Sequence, residues 1–341
     1  MTDDTLNDLI SDKLDRLCKP PGSLGDLEAV AALLCRIQKT VSPVTRPRHV
    51  CIFAADHGVT CEGVTAWPSE VTGAVVKVMQ RGRSASGVFA QLLECGYEVV
   101  DIGLLAPLNE HAIVHEFAIV DAAMRRGTGN ILREPAMSMI EFEHAWSVGA
   151  DRARIACEGG NRLLIGGEMG IGNTTAASCL IGLLTGAEPE SVVGRGAGVG
   201  DEGLARKLQV VRSTMERVRA LGCNSPAEIA AQVGGLEIVA LAGFYAEGAR
   251  RGATLLIDGL IATSSALVAF AIDPQVATKM IAGHRSTEPG HIVALERLGL
   301  TPILDLKMRL GEATGALASI PMLDLAAAMI NNMATLDDLQ S

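Results

Sequence analysis

Aromatic side chains are scarce in this chain. Only 3% of its 341 residues are Phe, Trp or Tyr, although 48% are hydrophobic, so the apolar content is Ala, Val, Leu and Ile. Such a mixture suits a parallel sheet covered by close-packed helices. Basic residues are also in deficit: 29 Lys and Arg against 39 Asp and Glu give a formal net charge of −10. This excludes the clustered positive surface of a nucleic-acid binder, and an anionic small molecule would need a locally basic pocket. The eight cysteines contain no C-x-x-C pair and stand near no histidine at zinc spacing. Most lie in apolar runs, as reduced, buried thiols of a cytosolic protein do, which favours neither disulfides nor metal. No stretch reaches the ~18 uninterrupted apolar residues of a membrane span. The start, MTDDTLNDLISDKLDRL, is acidic and amphipathic, unlike a signal peptide. These absences point to a soluble, cytoplasmic protein.

What is present is an alternation. Apolar runs bounded by Gly or Asp recur at HVCIFAAD (49–56), YEVVDIG (97–103), LLIGGE (163–168) and ATLLIDG (253–259). Between them lie Ala-rich segments with helical periodicity, notably 70–95 and 204–221. Strands alternating with helices define the α/β class: a doubly wound, mostly parallel, Rossmann-like sheet with right-handed crossovers. Ligands of such sheets sit at the carboxyl ends of the strands, where this chain places Asp56-His57-Gly58, Asp101, Gly166–Gly172 and Asp258-Gly259. The two chain ends read as helices. The expected division is a small helical subdomain from 1–45 and 308–341 beside a large α/β nucleotide-binding domain, 46–307.

Chemistry concentrates in a few loops. In LLIGGEMGIGNTTAAS (163–178) an apolar run gives way to Gly166, Gly167, Gly170 and Gly172, and Asn173, Thr174 and Thr175 open a helix. A strand, a glycine loop and a helix N-terminus gather free N–H groups around an anion. Alone, the loop is explained equally well as a tight turn. A second cluster, VVGRGAGVGDEG (192–203), places Gly194, Gly196, Gly198 and Gly200 on alternate positions before a helix carrying Lys207. Two such loops suggest a ligand approached by backbone from two sides, with Lys207 or Arg195 as the cation, although a lysine on a helix face is more often solvated. Glu168 inside the first loop poses a problem of charge beside an anion. His57 is as readily a structural hydrogen-bonder as a catalytic group. IAGHRSTEPGH (281–291) follows a helical segment and reads as a donor-lined loop containing Ser286. In MRLGEATGALA (308–318), Glu312 stands among small, apolar neighbours. A carboxyl held there can have its pKa raised towards neutrality and act as a general base.

KPPGSLG (19–25), AADHGV (54–59), GEMGIGNTT (167–175), GRGAG (194–198), HRSTEPGH (284–291) and RLGEATGA (309–316) together resemble the nicotinate-nucleotide:dimethylbenzimidazole phosphoribosyltransferase family, in the same order and over nearly the whole chain. The family makes the α-riboside phosphate that becomes the lower ligand of cobamides. The resemblance implies that the 5′-phosphate of nicotinate mononucleotide sits on Gly170, Gly172, Asn173, Thr174, Gly196 and Ser286, with Lys207 as a phosphate-contacting lysine. It implies Glu168 facing the reacting ribose carbon, Glu312 as the general base that deprotonates the acceptor, and an acceptor site including His57 and Met169. It implies no cofactor and no metal, because a pyridinium nucleotide already carries an activated leaving group. Partners are the donor, a benzimidazole or phenolic acceptor, and a second chain in a homodimer or a heterodimer with a homologue.

Two departures from the family pattern stand out. Ala313 replaces the glycine usual after the catalytic glutamate. Trp67 and Val75 occupy positions where benzimidazole users carry Ser and Gln, which suggests the phenol-activating branch. A non-catalytic subunit of a heterodimeric phenol-activating enzyme is the alternative, and Glu312 argues against it. A dinucleotide-dependent dehydrogenase would show G-x-G-x-x-G after the first strand; ADHG stands there instead.

Overall fold

A computed structural model of the chain describes residues 3–106 and 117–340. Six strands form one sheet: β1 (Arg48–Ala55), β2 (Gly96–Gly103), β3 (Ala118–Asp121), β4 (Leu163–Met169), β5 (Thr254–Ile257) and β6 (Met280–Ala282). Their order is β3-β2-β1-β4-β5-β6 and every pairing is parallel. Strand order therefore reverses between β1 and β4, the switch point at which doubly wound sheets open a crevice.

Both faces are covered, as the near-continuous apolar strands require. Along β1, Cys51, Phe53 and Ala55 point into one apolar cluster, while Val50, Ile52 and Ala54 point into the other. The first cluster is completed by Met139–Glu158, Asn173–Thr185, Leu236–Arg250 and Leu260–Ile272. The second is completed by Asp3–Arg16, Asp26–Gln38, Glu70–Gln80, Ala85–Leu92 and Thr314–Asn332. Helices from both chain ends thus pack on one another and on the same sheet face. Thr314–Asn332 is long and apolar enough to cross a membrane by length and composition, but 61% of that window is buried inside the protein. Its Ala316, Leu317, Ile320 and Leu323 belong to the second cluster, which makes it a core helix.

Three elements differ from the sequence reading. The short strands β3 and β6 lie at the sheet's edges, and β6 directly precedes the 284–291 loop that was expected to follow a helix; only the 3-10 turn Pro274–Lys279 comes before it. The 70–95 segment is two helices broken at Gly82, whose φ of 63° is left-handed. The second of these begins at Ser84, whose hydroxyl accepts from the Gly87 N–H at 3.0 Å, a standard N-cap.

Candidate active site

A cavity of about 330 Å³ opens at the carboxyl ends of β4, β5 and β6 and is closed on its far side by residues 309–312. Its volume is at the lower end of the range of small-molecule sites. One end is polar. Gly172 (φ 95°) caps the helix Asn173–Thr185 with no side-chain partner, so the helix N-terminus is directed at whatever occupies the cleft. Opposite it, Gly196 and Gly198 adopt left-handed φ values of 53° and 104°. The Gly196 N–H donates to Glu288 Oε1 at 2.9 Å, and its carbonyl accepts from Arg309 Nη1 at 2.9 Å.

Lys207 ties the two glycine loops together from behind. Its Nζ donates to Thr174 Oγ1 at 2.8 Å and to the Gly194 carbonyl at 3.1 Å. The side chain is buried, not solvated; burial lowers its pKa to about 8, and Glu288 opposes that shift. It does not line the cleft, but Thr174, one of its two hydrogen-bond partners, does. Arg195 does line the cleft, but it pairs with Asp201 and donates to the Val199 carbonyl at 3.1 Å. Arg309 also lines it and is a cation that the sequence reading missed; its place three residues before Glu312 was the available signal. Ser286 reaches the cleft wall, and its N–H donates to His291 Nδ1 at 2.9 Å. With Nδ1 accepting, the ring proton resides on Nε2, which faces Thr263 Oγ1 at 3.0 Å. Burial holds the His291 pKa down to about 3, so this support is a neutral imidazole.

Between the two ends stand the carboxyls. Gly311, Glu312 and Ala313 have φ values of 85°, 60° and 62°, three left-handed residues in succession. For the two non-glycine residues this backbone is uncommon and costly. It persists because the turn is fixed on several sides: Thr314 N–H and Oγ1 both donate to the Gly311 carbonyl, at 3.0 and 2.7 Å. From β5, Asp258 Oδ1 accepts the Ala316 N–H at 2.9 Å. Gly311 takes a left-handed φ of 85° that disfavours a side chain, and a Cβ there would stand 2.6 Å from Glu168 Oε1 and force that carboxyl to shift. Glu312 is aimed into the cleft by this turn and is buried. Its pKa is raised to about 7, first by burial and then by Asp258, with the Ser86 hydroxyl acting in the opposite sense.

Glu168 accepts a hydrogen bond from Asn173 Nδ2. Complete burial, then Glu237, Asp258 and Glu312, raise its pKa well above the ordinary carboxyl value. The direction of the shift favours the uncharged carboxyl, which eases the problem of charge beside an anion that the sequence raised.

The other end is apolar. Trp67, Val71, Val75, Met169, Ile171 and Leu310 form its walls, and Trp67, 54% exposed, stands at the rim. His57 is not brought to this wall. It is buried, its Nε2 is held by Glu237 Oε1 at 2.7 Å, and the ring lies behind Gly170 and Gly235. That contact makes it a support of the loop behind the cleft lining. Among the described residues, no group of three or more His, Cys, Asp or Glu is placed to hold a metal ion.

The architecture is thus a doubly wound α/β protein whose cleft is lined by an uncapped helix N-terminus and glycine loops, a buried carboxyl and apolar side chains. A model of the phosphoribosyltransferase family matches residues 1–340. The nicotinate-nucleotide–dimethylbenzimidazole phosphoribosyltransferase of Chromobacterium violaceum is 47% identical over 322 residues, covering 94% of this chain and 92% of that one. The enzyme of the same name from Thermus thermophilus is 45% identical over 327 residues, with 96% and 95% covered. A crystal structure of CobT from Thermus thermophilus superposes with a TM-score of 0.93 at 43% identity, covering 98% of both chains. The chain belongs to the nicotinate-nucleotide–dimethylbenzimidazole phosphoribosyltransferase family.

Proposed function

We propose that this chain transfers the phosphoribosyl group of nicotinate mononucleotide to a flat aromatic acceptor, a benzimidazole or a phenol, releasing nicotinate and an α-riboside 5′-phosphate for the lower ligand of a cobamide. The observation that carries this reading is the placement of Glu312. It is a buried carboxyl with a pKa of about 7, set between an amide-lined anion seat and an apolar slot. In this reading the 5′-phosphate rests on Gly170, Gly172, Asn173 and Thr174 from one side and on Gly196 and Ser286 from the other. Lys207 and Arg309 supply positive charge. Glu168 faces the reacting ribose carbon.

The acceptor's ring nitrogen or hydroxyl oxygen forms a bond to C1′ from the face opposite nicotinate. The C1′–N1 bond breaks, its electron pair returns to the pyridine nitrogen, and the configuration inverts from β to α. Glu312 takes the proton lost by the acceptor, a contribution of about 10²–10⁴ in rate for a well-placed base. Alignment of two bound substrates contributes further by making the reaction effectively intramolecular.

Finer assignments belong to the same proposal. The helices of 1–45 and 308–341 act as one unit. The protein works in the cytoplasm as a dimer, homomeric or with a homologue, whose interface passes near the exposed Trp67; an active monomer in light scattering would contradict this. The activity itself is tested with purified chain, nicotinate mononucleotide and a panel of benzimidazoles and phenols, detecting riboside phosphate by mass. Product with at least one acceptor is expected. No product with any of them, alone or with a homologous second chain, overturns the reading.

A further inference from the structure

A second cavity opens at the edge of the sheet opposite the cleft. About 860 Å³ in volume, it lies at the amino ends of β5 and β6. The helices Asp3–Arg16 and Asp26–Gln38 form one wall; the end of Leu236–Arg250 and the turn Pro274–Lys279 form the other. Its floor is apolar, with Leu6, Ile37 and Val276 buried. Its charged lining is mainly basic: Arg36, Lys39, Arg250 and Lys279 stand against two acids, Asp3 and Asp273, in a chain whose formal net charge is −10.

Cations at such a place have an ordinary use, which is to satisfy the carbonyls and the negative end of a helix. Two of the four have partners of this kind or in an ion pair. Lys279 Nζ donates to the Ile37 carbonyl at 2.6 Å, and Arg250 makes two bonds of 2.6 Å to Glu247. The end of Asp26–Gln38 is otherwise closed by backbone, with the Lys39 N–H on the Arg36 and Cys35 carbonyls. Of the acids, Asp273 is engaged by the Gln275 N–H at 3.0 Å. Arg36 and Lys39 are exposed, and among the described residues their side chains make no ion pair or hydrogen bond. Lys39 also holds a left-handed φ of 52°, at a helix end where glycine is preferred. No contact of its side chain within the chain offsets that strain. Its charge is felt instead across the cavity: burial, then Lys39, lower the pKa of Lys279, and Asp3 opposes them.

We propose that this cavity is a binding site for a small multivalent anion of the phosphate class, held by Arg36, Lys39 and Lys279. An oxyanion with two or more charges relieves the repulsion between Lys39 and Lys279 and gives the Arg36 guanidinium a bidentate partner. The apolar floor strengthens these contacts by excluding water from one side. Bound there, the anion joins helices from the two faces of the sheet and stabilises the folded chain by mass action. The site shares no lining residue with the cleft and is independent of the activity proposed above.

The test is calorimetric titration with inorganic pyrophosphate at fixed ionic strength, with the thermal midpoint measured alongside, in wild type, Lys39→Gly and Arg36→Gln. Wild type is expected to bind pyrophosphate and to gain in midpoint as its concentration rises. Each variant should raise the Kd of one site about tenfold and shrink that gain; any binding in the cleft stays as in wild type. Lys39→Gly separates anion binding from helix capping, because glycine suits the left-handed φ. Its midpoint without pyrophosphate should equal or exceed that of wild type while its response to pyrophosphate falls. A lower midpoint there would assign Lys39 to the helix end and overturn its part in the site. The inference as a whole is overturned by no pyrophosphate binding in wild type, by isotherms alike in all three proteins, or by an equal gain in midpoint from sodium chloride at matched ionic strength.

Discussion

The two ends of the cleft are built by opposite means. At the polar end recognition belongs to backbone: helix N–H groups, the Gly196 amide and carbonyl, and a buried lysine bridging two loops. The groups around the glycine loop have fixed partners, with Gly196 N–H on Glu288, Gly196 O on Arg309 and Lys207 on Thr174 and Gly194. At the apolar end recognition belongs to side chains on a short loop and on one face of Glu70–Gln80, and the largest, Trp67, is half in solvent. Changing a side chain at the polar end strands a buried partner, a loss of about 1–3 kcal/mol. Under the proposed function, a change at the apolar end alters what the slot accepts. On the same reading, the donor is therefore set by the scaffold and the acceptor by replaceable side chains.

The largest effect is expected where the two ends meet. Glu312→Gln keeps the shape of the carboxyl but cannot take a proton, so turnover should fall by about 10²–10⁴ while donor binding by calorimetry is unchanged. Turnover like wild type would remove Glu312 from the mechanism. Next, Lys207→Met removes the buried charge that joins the glycine loops. The donor Kd should rise about tenfold, the equivalent of 1.4 kcal/mol, with acceptor preference unaltered; an unchanged Kd would mean that the charge behind the loops is not felt by the ligand.

A third prediction concerns stability. The folded-state pKa of Glu312, about 7, lies above its ordinary value of 4.5, so the native state binds this proton more tightly than the unfolded chain does. Stability contributed by that proton is present at low pH and is lost as pH rises between those two values. Glu312→Gln should therefore be more stable than wild type by on the order of 2 kcal/mol above neutrality and nearly equal to it at acid pH. Denaturant unfolding at both pH values checks this, and an equal difference at each would contradict it. The smallest effect belongs to the apolar end. Trp67→Ser with Val75→Gln should shift the ratio of kcat/KM several-fold from phenols towards benzimidazoles, within the range of about 1–3 kcal/mol for satisfying a buried polar edge. A ratio unmoved would show that these two side chains do not choose the acceptor.

The same contrast governs what could be read from sequence. The four central strands were visible because each is an apolar run ended by Gly or Asp. Edge strands β3 and β6 were not, with four and three residues, too few to display a period. The break at Gly82 left no mark in the apolar pattern of 70–95. At the site, backbone features were legible as glycine spacing and helix starts. The raised pKa of Glu312 was anticipated from its small, apolar neighbours and is found at about 7; the states of the other side chains were not legible, because tertiary neighbours set them. The helix position of Lys207 left a candidate cation and a solvated surface residue both open, and the side chain is buried against residues 174 and 194. His57 was open between a structural and a catalytic role, and it is held by Glu237 from the helix Leu236–Arg250, 180 positions away in sequence. Glu168 acquires its high pKa from burial and from Glu237, Asp258 and Glu312, drawn together only by the sheet.

The central claim is that a buried carboxyl with a pKa near neutrality performs the proton transfer. Its most direct test is kcat/KM for riboside phosphate formation from about pH 5.5 to about 8.5, in wild type and in Glu312→Gln, since this ratio reports the base of the free enzyme. The donor phosphate also titrates, near pH 6, but it does so equally in both proteins. The account predicts a wild-type rate that rises about tenfold per pH unit and levels off near pH 7, and a residual rate in Glu312→Gln without that limb. A wild-type profile that matches the variant's in shape across the range would contradict it.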